Sequence, residues 1–240
     1  MPYFAIGVIM EFIIVRHAQS ENNVNQSESL DSSLTKIGQN QIAQTANWFR
    51  DNFDLDGYVG LTSPYLRTLQ TSEAIHLANP QVSFTVHDGS REYHIDKEEA
   101  DLAEGRMKIV NRKELFPNFH WPQEHWQEEA CLYWNETLDE FVERVGVFVK
   151  SLRSSDKYII VGHAASCRVL HDTITKKDMT YLFKRYKPVG VNRPTSMNYE
   201  SYKDDGIQNA SLTWIVDGEC RWFSKVVYED CDEEIQQMVR

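Results

Sequence analysis

The stretch Phe12-Ile13-Ile14-Val15-Arg16-His17 is a short, continuous apolar run that ends abruptly in a guanidinium and an imidazole. An unbroken apolar run rich in β-branched residues is the pattern of a strand buried on both faces, as in parallel α/β sheets. A second run of the same kind, Tyr158-Ile159-Ile160-Val161, ends in Gly162-His163. In open parallel sheets, ligands bind outside the carboxyl ends of the strands, so two such strands aim both imidazoles at one crevice. A lone histidine at a strand end is most simply a satisfied structural group. Two of them, one preceded by Arg16, point instead to a functional site.

Outward from these strands, Thr35 reads as an N-cap, and Ile37, Ile42, Ala46 and Phe49 follow helical spacing through about Phe53. A strand over 58–61 leads into Ser63-Pro64, which reads as a helix start with a cap and a proline in the first turn, the helix running to about Leu77. Residues 82–86 alternate as a strand. Residues 136–152 form an amphipathic helix with Phe141, Val145, Phe148 and Val149 on one face, a further helix starts near Ala164, and 212–216 and 222–227 read as late strands. Strands alternating with helices predict an α/β layered fold with a largely parallel sheet.

The chain has 240 residues, of which 41% are hydrophobic and 25% charged, a soluble globular profile sized for one large domain or one with insertions. Twenty-five Lys and Arg against 36 Asp and Glu give a net charge of −11, so nucleic acid is not expected as a bulk partner and any anionic ligand must be held in one focused pocket. Cys131, Cys167, Cys220 and Cys231 are scattered, without a close pair, which predicts reduced thiols and a cytoplasmic location. The leading MPYFAIGVIM is too short to span a bilayer and lacks the marks of a signal peptide, so no membrane partner is expected; Met10 could serve as a second translation start.

Two stretches interrupt the alternation. Residues 93–135 are acidic and hold Phe116, Phe119, Trp121, Trp126, Tyr133 and Trp134; residues 175–208 are rich in Tyr, Lys and Asn. Both read as surface loops with satellite helices or as a cap over the site, and the aromatic cluster reads as the cap's own small core. The acidic run 97–104 reads as a solvated helix face. Lys108, Arg112 and Lys113 are either an exposed basic face or a seat for a second anionic group.

Arg67, in the first turns of the helix after a strand's carboxyl end, can reach the crevice that His17 and His163 face. Two guanidiniums and two imidazoles converging on one point fit a phosphate-like tetrahedral anion, because planar bidentate donors match its oxygens. No dinucleotide fingerprint, P-loop or nucleophile elbow is present.

The segment Val15-Arg16-His17-Ala18-Gln19-Ser20-Glu21-Asn22-Asn23 resembles the signature of the histidine phosphatase superfamily, which includes the cofactor-dependent phosphoglycerate mutases. Further pieces match in order: Leu34-Thr35 with Gly38 and Gln41, Ser63-Pro64 with Arg67 and Gln70-Thr71, and Arg91-Glu92. Asn135-Glu136-Thr137, Val161-Gly162-His163-Ala164 with Arg168, and Asn209-Ala210-Ser211-Leu212-Thr213 complete the series, from about residue 11 to 216. The resemblance implies a three-layer α/β/α sandwich with a mostly parallel central sheet, a single domain over 1–240, and cap insertions at about 93–135 and 175–208. It implies His17 as the nucleophile, Arg16, Arg67 and His163 as the phosphate pocket, Asn23 and Ala164 as further substrate-binding positions, and Glu92 as the general acid and base. It implies no metal and no other cofactor, since the arginines supply the positive charge.

Ala18 stands where glycine is usual in that family, and Ala164 likewise follows the second histidine; an added methyl could narrow the pocket. Glu92 is followed by Tyr93-His94-Ile95-Asp96 rather than by the common glycine, and His94 reads as a solvated loop residue or a substrate contact. The stretch between Asn23 and Leu34 is shorter than in the mutases. A phosphomonoester hydrolase acting through phosphohistidine on a small phosphorylated metabolite is therefore expected ahead of a mutase, and both ahead of a catalytically weak phospho-ligand binding module. The sequence sets neither the substrate nor an oligomeric state.

Overall fold

The computed structural model describes residues 10–24, 31–93, 112–122, 136–154, 156–179 and 207–229. Its elements, in chain order, begin with β1 (Glu11–Arg16), a 3-10 turn (Glu21–Val24), α1 (Lys36–Asn52), β2 (Tyr58–Thr62), α2 (Leu66–Ala78) and β3 (Ser83–Val86). A second 3-10 turn (Asp88–Ser90), the one-turn helix α3 (Arg112–Leu115), α4 (Leu138–Ser151), β4 (Lys157–Gly162), α5 (Ala164–Ile174), β5 (Leu212–Val216) and β6 (Glu219–Lys225) follow. The strands form one sheet in the order β3-β2-β4-β1-β5-β6. The first four in that order run parallel, and β5 and β6 are added antiparallel.

The apolar runs are continuous because both faces of the sheet are covered. Successive side chains of a strand point to opposite faces, so Ile13 and Val15 join Ile159 and Val161 in one core with Ile42 and Phe49 of α1 and Leu69 and Ile75 of α2. Phe12 and Ile14 join Ile160 in the other core, with Phe141, Val145 and Phe148 of α4 and Leu170 of α5. Helices on both faces make three layers. At roughly 2 kcal/mol for each large apolar side chain fully removed from water, these two cores dominate the favourable side of folding. The helix starts are fixed locally: Thr35 Oγ1 accepts the Gly38 N–H at 3.0 Å, and Thr137 and Glu140 form a reciprocal capping box at the head of α4.

β4 lies between β1 and β2, which makes the two histidine-ended runs neighbours, with Arg16 opposite Gly162. Each histidine is the next residue after its strand, so the parallel register alone places the imidazoles side by side. Strand order reverses here, since β1 and β2 are separated by the later β4, and such a switch point opens a crevice at the strands' carboxyl ends.

Three local expectations are corrected. Helix α2 begins at Leu66, not at Ser63-Pro64; Tyr65 occupies the cap position without a side-chain bond, and the Leu66 N–H donates instead to Asp31 Oδ1 at 2.7 Å. β6 begins at Glu219 rather than at Trp222, because Asp217 (φ 51°) and Gly218 (φ 78°) make a two-residue hairpin turn of the left-handed kind that favours Asp-Gly. Phe116 and Phe119 belong to the domain's own core on the α1 and α2 side, with Trp121 packed on it, rather than to a separate cap core. There the chain runs beside β3: the Val86 N–H donates to His120 O and the His120 N–H to Phe84 O, both at 2.9 Å. Trp126, Tyr133, Trp134, His94, Lys108, Cys131, Cys231 and the acidic run 97–104 lie outside the described residues, as do 180–206 of the second insertion. Among the described residues, no helix is long and apolar enough to cross a membrane.

Candidate active site

The turn after β1 is held from both neighbouring strands. The His17 N–H donates to Gly162 O at 2.9 Å, and the Arg16 N–H donates to Ser211 O at 3.2 Å. The His17 ring is buried, with Nδ1 2.7 Å from Ala18 O. A carbonyl can only accept, so Nδ1 carries the proton and Nε2 keeps its lone pair. Burial first, then the charges of Arg67 and Arg16, hold the His17 pKa well below the usual imidazole value, and the ring is neutral at neutral pH.

His163, the cap residue of α5, faces it with ring centroids 5.2 Å apart and planes at 63°. Its Nε2 lies 2.9 Å from Ser63 Oγ, which is the role Ser63 has in place of capping α2. Tyr65 meets the same imidazole edge-on at 5.0 Å and carries the Arg67 guanidinium 4.6 Å over its ring. Tyr65 thus fixes two site residues at once, and the sequence cue was its place between Pro64 and an arginine two residues on. Arg67 is 7% exposed, and burial lowers its pKa, against the opposing pull of Tyr65, Asp31 and Glu92. Arg16 stays half-buried and donates through Nη1 to Ile207 O.

Glu92 keeps part of its surface open although protein atoms crowd the carboxyl. Oε1 accepts the Tyr93 N–H at 3.0 Å, and the Ala165 N–H in the first turn of α5 also donates to the carboxyl. Burial nevertheless pushes its pKa upward, outweighing those bonds and the attraction of Arg67 and Arg16. Asn23 Oδ1 accepts from Ser20 N at 3.0 Å, Ser20 Oγ at 3.1 Å and Asn209 Nδ2 at 3.0 Å. Ala164 is the first residue of α5 and remains half-buried.

The Ala18 methyl does not narrow the crevice: the residue is fully buried and belongs to the α1 and α2 core, and its N–H donates to Thr71 Oγ1 at 3.1 Å. Arg112 is neither an exposed basic residue nor a seat for substrate. It is 2% exposed, paired with Asp31, and donates to Pro64 O at 2.7 Å. Lys113 stays half-buried beside it. The matched residues Thr35, Gly38 and Gln41 converge on Gln19, two residues past His17: the Gln19 N–H donates to Gln41 Oε1 at 3.0 Å, and Thr35 N–H and Oγ1 bond to Gln19 oxygens. A Cβ on Gly38 would stand 2.0 Å from Gln19 O, so only glycine lets α1 approach this closely. Among the described residues, no three His, Cys, Asp or Glu side chains are grouped to hold a metal ion.

Two neutral-capable imidazoles, two guanidiniums and a carboxyl pushed toward its protonated form thus share one crevice. Known structures share this fold. A mycobacterial hydrolase superposes with a TM-score of 0.57 at 14% identity, over 96% of this chain and 96% of its own. A histidine-to-alanine variant of phosphoserine phosphatase from Entamoeba histolytica, in complex with phosphoserine, gives 0.56 at 16% identity, over 90% of this chain and 98% of its own. Mycobacterial glucosyl-3-phosphoglycerate phosphatase gives 0.51 at 16% identity, over 91% and 93%. No curated protein sequence matches the chain. The profile of the histidine phosphatase superfamily, branch 1, matches residues 12–214, which is most of the chain, and with His17, Arg67 and His163 set as described the protein belongs to that superfamily.

Proposed function

We propose that this protein is a phosphomonoester hydrolase that works through a covalent phosphohistidine on His17 and takes a small phosphorylated metabolite. The observation that carries the proposal is the state of His17: a buried neutral ring whose Nδ1–H is tied to Ala18 O, leaving Nε2 as a nucleophile. In the first half-reaction Nε2 attacks phosphorus in line, the N–P bond forms and the ester P–O bond breaks. Arg16, Arg67 and His163 hold the equatorial oxygens, and Asn23 and the α5 terminus at Ala164 add donors. Glu92 gives its proton to the leaving oxygen. In the second half-reaction Glu92, now a carboxylate, takes a proton from water as the water oxygen attacks phosphorus, the N–P bond breaks and phosphate leaves. The positive charge that the ring gains on phosphorylation is eased by the Nδ1–H bond to Ala18 O. The arginines supply the charge that a metal would otherwise supply, so the chemistry as written needs none.

We assign the whole chain to one domain with insertions at about 93–135 and 175–208. A cytoplasmic setting is part of the same proposal, supported by the scattered spacing of the four cysteines in the sequence. Incubation with a radiolabelled phosphomonoester and acid-stable-bond controls tests the mechanism: the native protein retains label in an acid-labile, alkali-stable linkage and releases inorganic phosphate without a bisphosphorylated primer. His17→Ala loses both, and full turnover by that variant would sink the proposal.

A further inference from the structure

We infer that Asn209 is a positioning residue that, together with the Ser20 N–H, holds the donor end of the Asn23 amide toward the phosphoryl group. The inference rests on the phosphatase proposal and deepens it. A carboxamide has an acceptor end and a donor end of nearly equal size, and only its hydrogen-bond partners fix which way it turns. Asn23 Oδ1 receives the Ser20 N–H at 3.0 Å, a group that can only donate, and Asn209 Nδ2 at 3.0 Å, which the acceptor so fixed turns toward it, with Ser20 Oγ as a third neighbour at 3.1 Å. Ser20 and Asn209 therefore consume the acceptor end, and no hydrogen bond to a described residue holds Asn23 Nδ2. Nδ2 is the end an anion needs; a turned amide would set its oxygen against phosphate oxygens.

Asn209 can do this because its own backbone is held beside the nucleophile. The next residue, Ala210, adopts φ 51° and donates its N–H to His17 O at 3.2 Å, while Thr45 Oγ1 bonds its carbonyl. Tyr228 Oη donates to Asn209 O at 2.9 Å, and the Gln208 N–H donates to Ser224 Oγ at 2.8 Å, tying the loop to β6 and the segment after it. The same loop receives the Arg16 guanidinium at Ile207 O. One segment, 207–211, thus sets the carbonyl of His17, the guanidinium of Arg16 and the amide of Asn23.

The test is a double-mutant cycle of Asn23→Ala and Asn209→Ala, read as kcat/KM for an aryl phosphate and as inhibition by inorganic phosphate, with thermal midpoints recorded. Each single variant is expected to lower kcat/KM by about 10- to 100-fold, the range for losing one donor to a charged transition state, and to weaken phosphate inhibition. The double variant is expected to fall within about twofold of Asn23→Ala alone, because a positioning residue has nothing left to position. If Asn23→Ala keeps full activity, the pocket-donor reading of Asn23 fails. If Asn23→Ala loses activity but Asn209→Ala does not, or the two losses multiply, the positioning role of Asn209 is overturned while the pocket reading stands. Asn209→Asp keeps the size and removes the donor, so it should show the same loss if Asn209→Ala folds poorly; full phosphate inhibition in Asn209→Asp would equally overturn the inference.

Discussion

At the scale of single residues, the site depends on two groups whose surroundings push them out of their ordinary charge states in ways that suit each other. Burial and the two arginines keep His17 unprotonated, and burial keeps the proton on Glu92 to higher pH than an ordinary carboxyl. In the proposed mechanism His17 must lack its proton to attack, so its lowered pKa moves the expected acid limb of kcat/KM below the ordinary imidazole value of about 6.5. In that mechanism Glu92 must hold a proton to release the alcohol, so its raised pKa is expected to set the alkaline limb. A bell-shaped profile is expected, and in Glu92→Gln the alkaline limb should vanish while the acid limb stays; an unchanged alkaline limb would remove Glu92 from the acid role. The same variant should slow alkyl phosphates by about 10²- to 10⁴-fold and aryl phosphates far less, since aryl oxides leave without protonation. Equal losses on both substrate types would count against the assignment.

At the scale of elements, α1 and α2 serve as clamps on the turn after β1. Gly38 sits in the first turn of α1, where alanine would ordinarily stabilise a helix by about 0.5–1 kcal/mol. Here the added Cβ would press on Gln19 O at 2.0 Å, and backbone against helix cannot give way as a flexible side chain can. Gly38→Ala is therefore expected to cost about 1–3 kcal/mol in urea denaturation and to lower kcat through displacement of His17; a stabilised, fully active variant would show that α1 can retreat. The sequence revealed the strand ends and the cap of α1 because those signals are local: an unbroken apolar run, and Thr35 three residues before Gly38. It hid the role of Ser63, which looks like a cap and has a histidine 100 residues away as its partner. It hid the capping of α2 by Asp31 for the same reason, since no periodicity carries information about a partner in another segment. The Asp217-Gly218 turn, which the expected strand over 222–227 leaves out, fixes where β6 begins, and the aromatic residues Phe116 and Phe119 signalled burial without saying in which core.

At the scale of the whole molecule, an excess of acid is compatible with the proposed phosphate pocket because its cations are concentrated, Arg67 buried and Arg16 half-buried near His17. The net charge of −11 belongs to the whole chain, whereas Arg16 and Arg67 act on the buried His17 at short range in a poorly screened setting. A third arginine serves the site from outside it. Arg112, from a segment inserted between β3 and α4, pairs with Asp31 and bonds Pro64 O, and Asp31 in turn caps the helix that carries Arg67. The pair is buried, with side chains 1% and 9% exposed, so removing one partner takes the nearest compensating charge from the other. Arg112→Met is expected to destabilise by about 3–5 kcal/mol in denaturant unfolding and to weaken phosphate inhibition through the disturbed start of α2. Adding Asp31→Asn removes the carboxylate charge but leaves an oxygen to accept the Leu66 N–H, so the double variant should recover about 1–2 kcal/mol relative to Arg112→Met. A double variant whose loss equals the sum of the singles would mean that Arg112 acts through Pro64 alone, and that the inserted segment supports α2 without the ion pair.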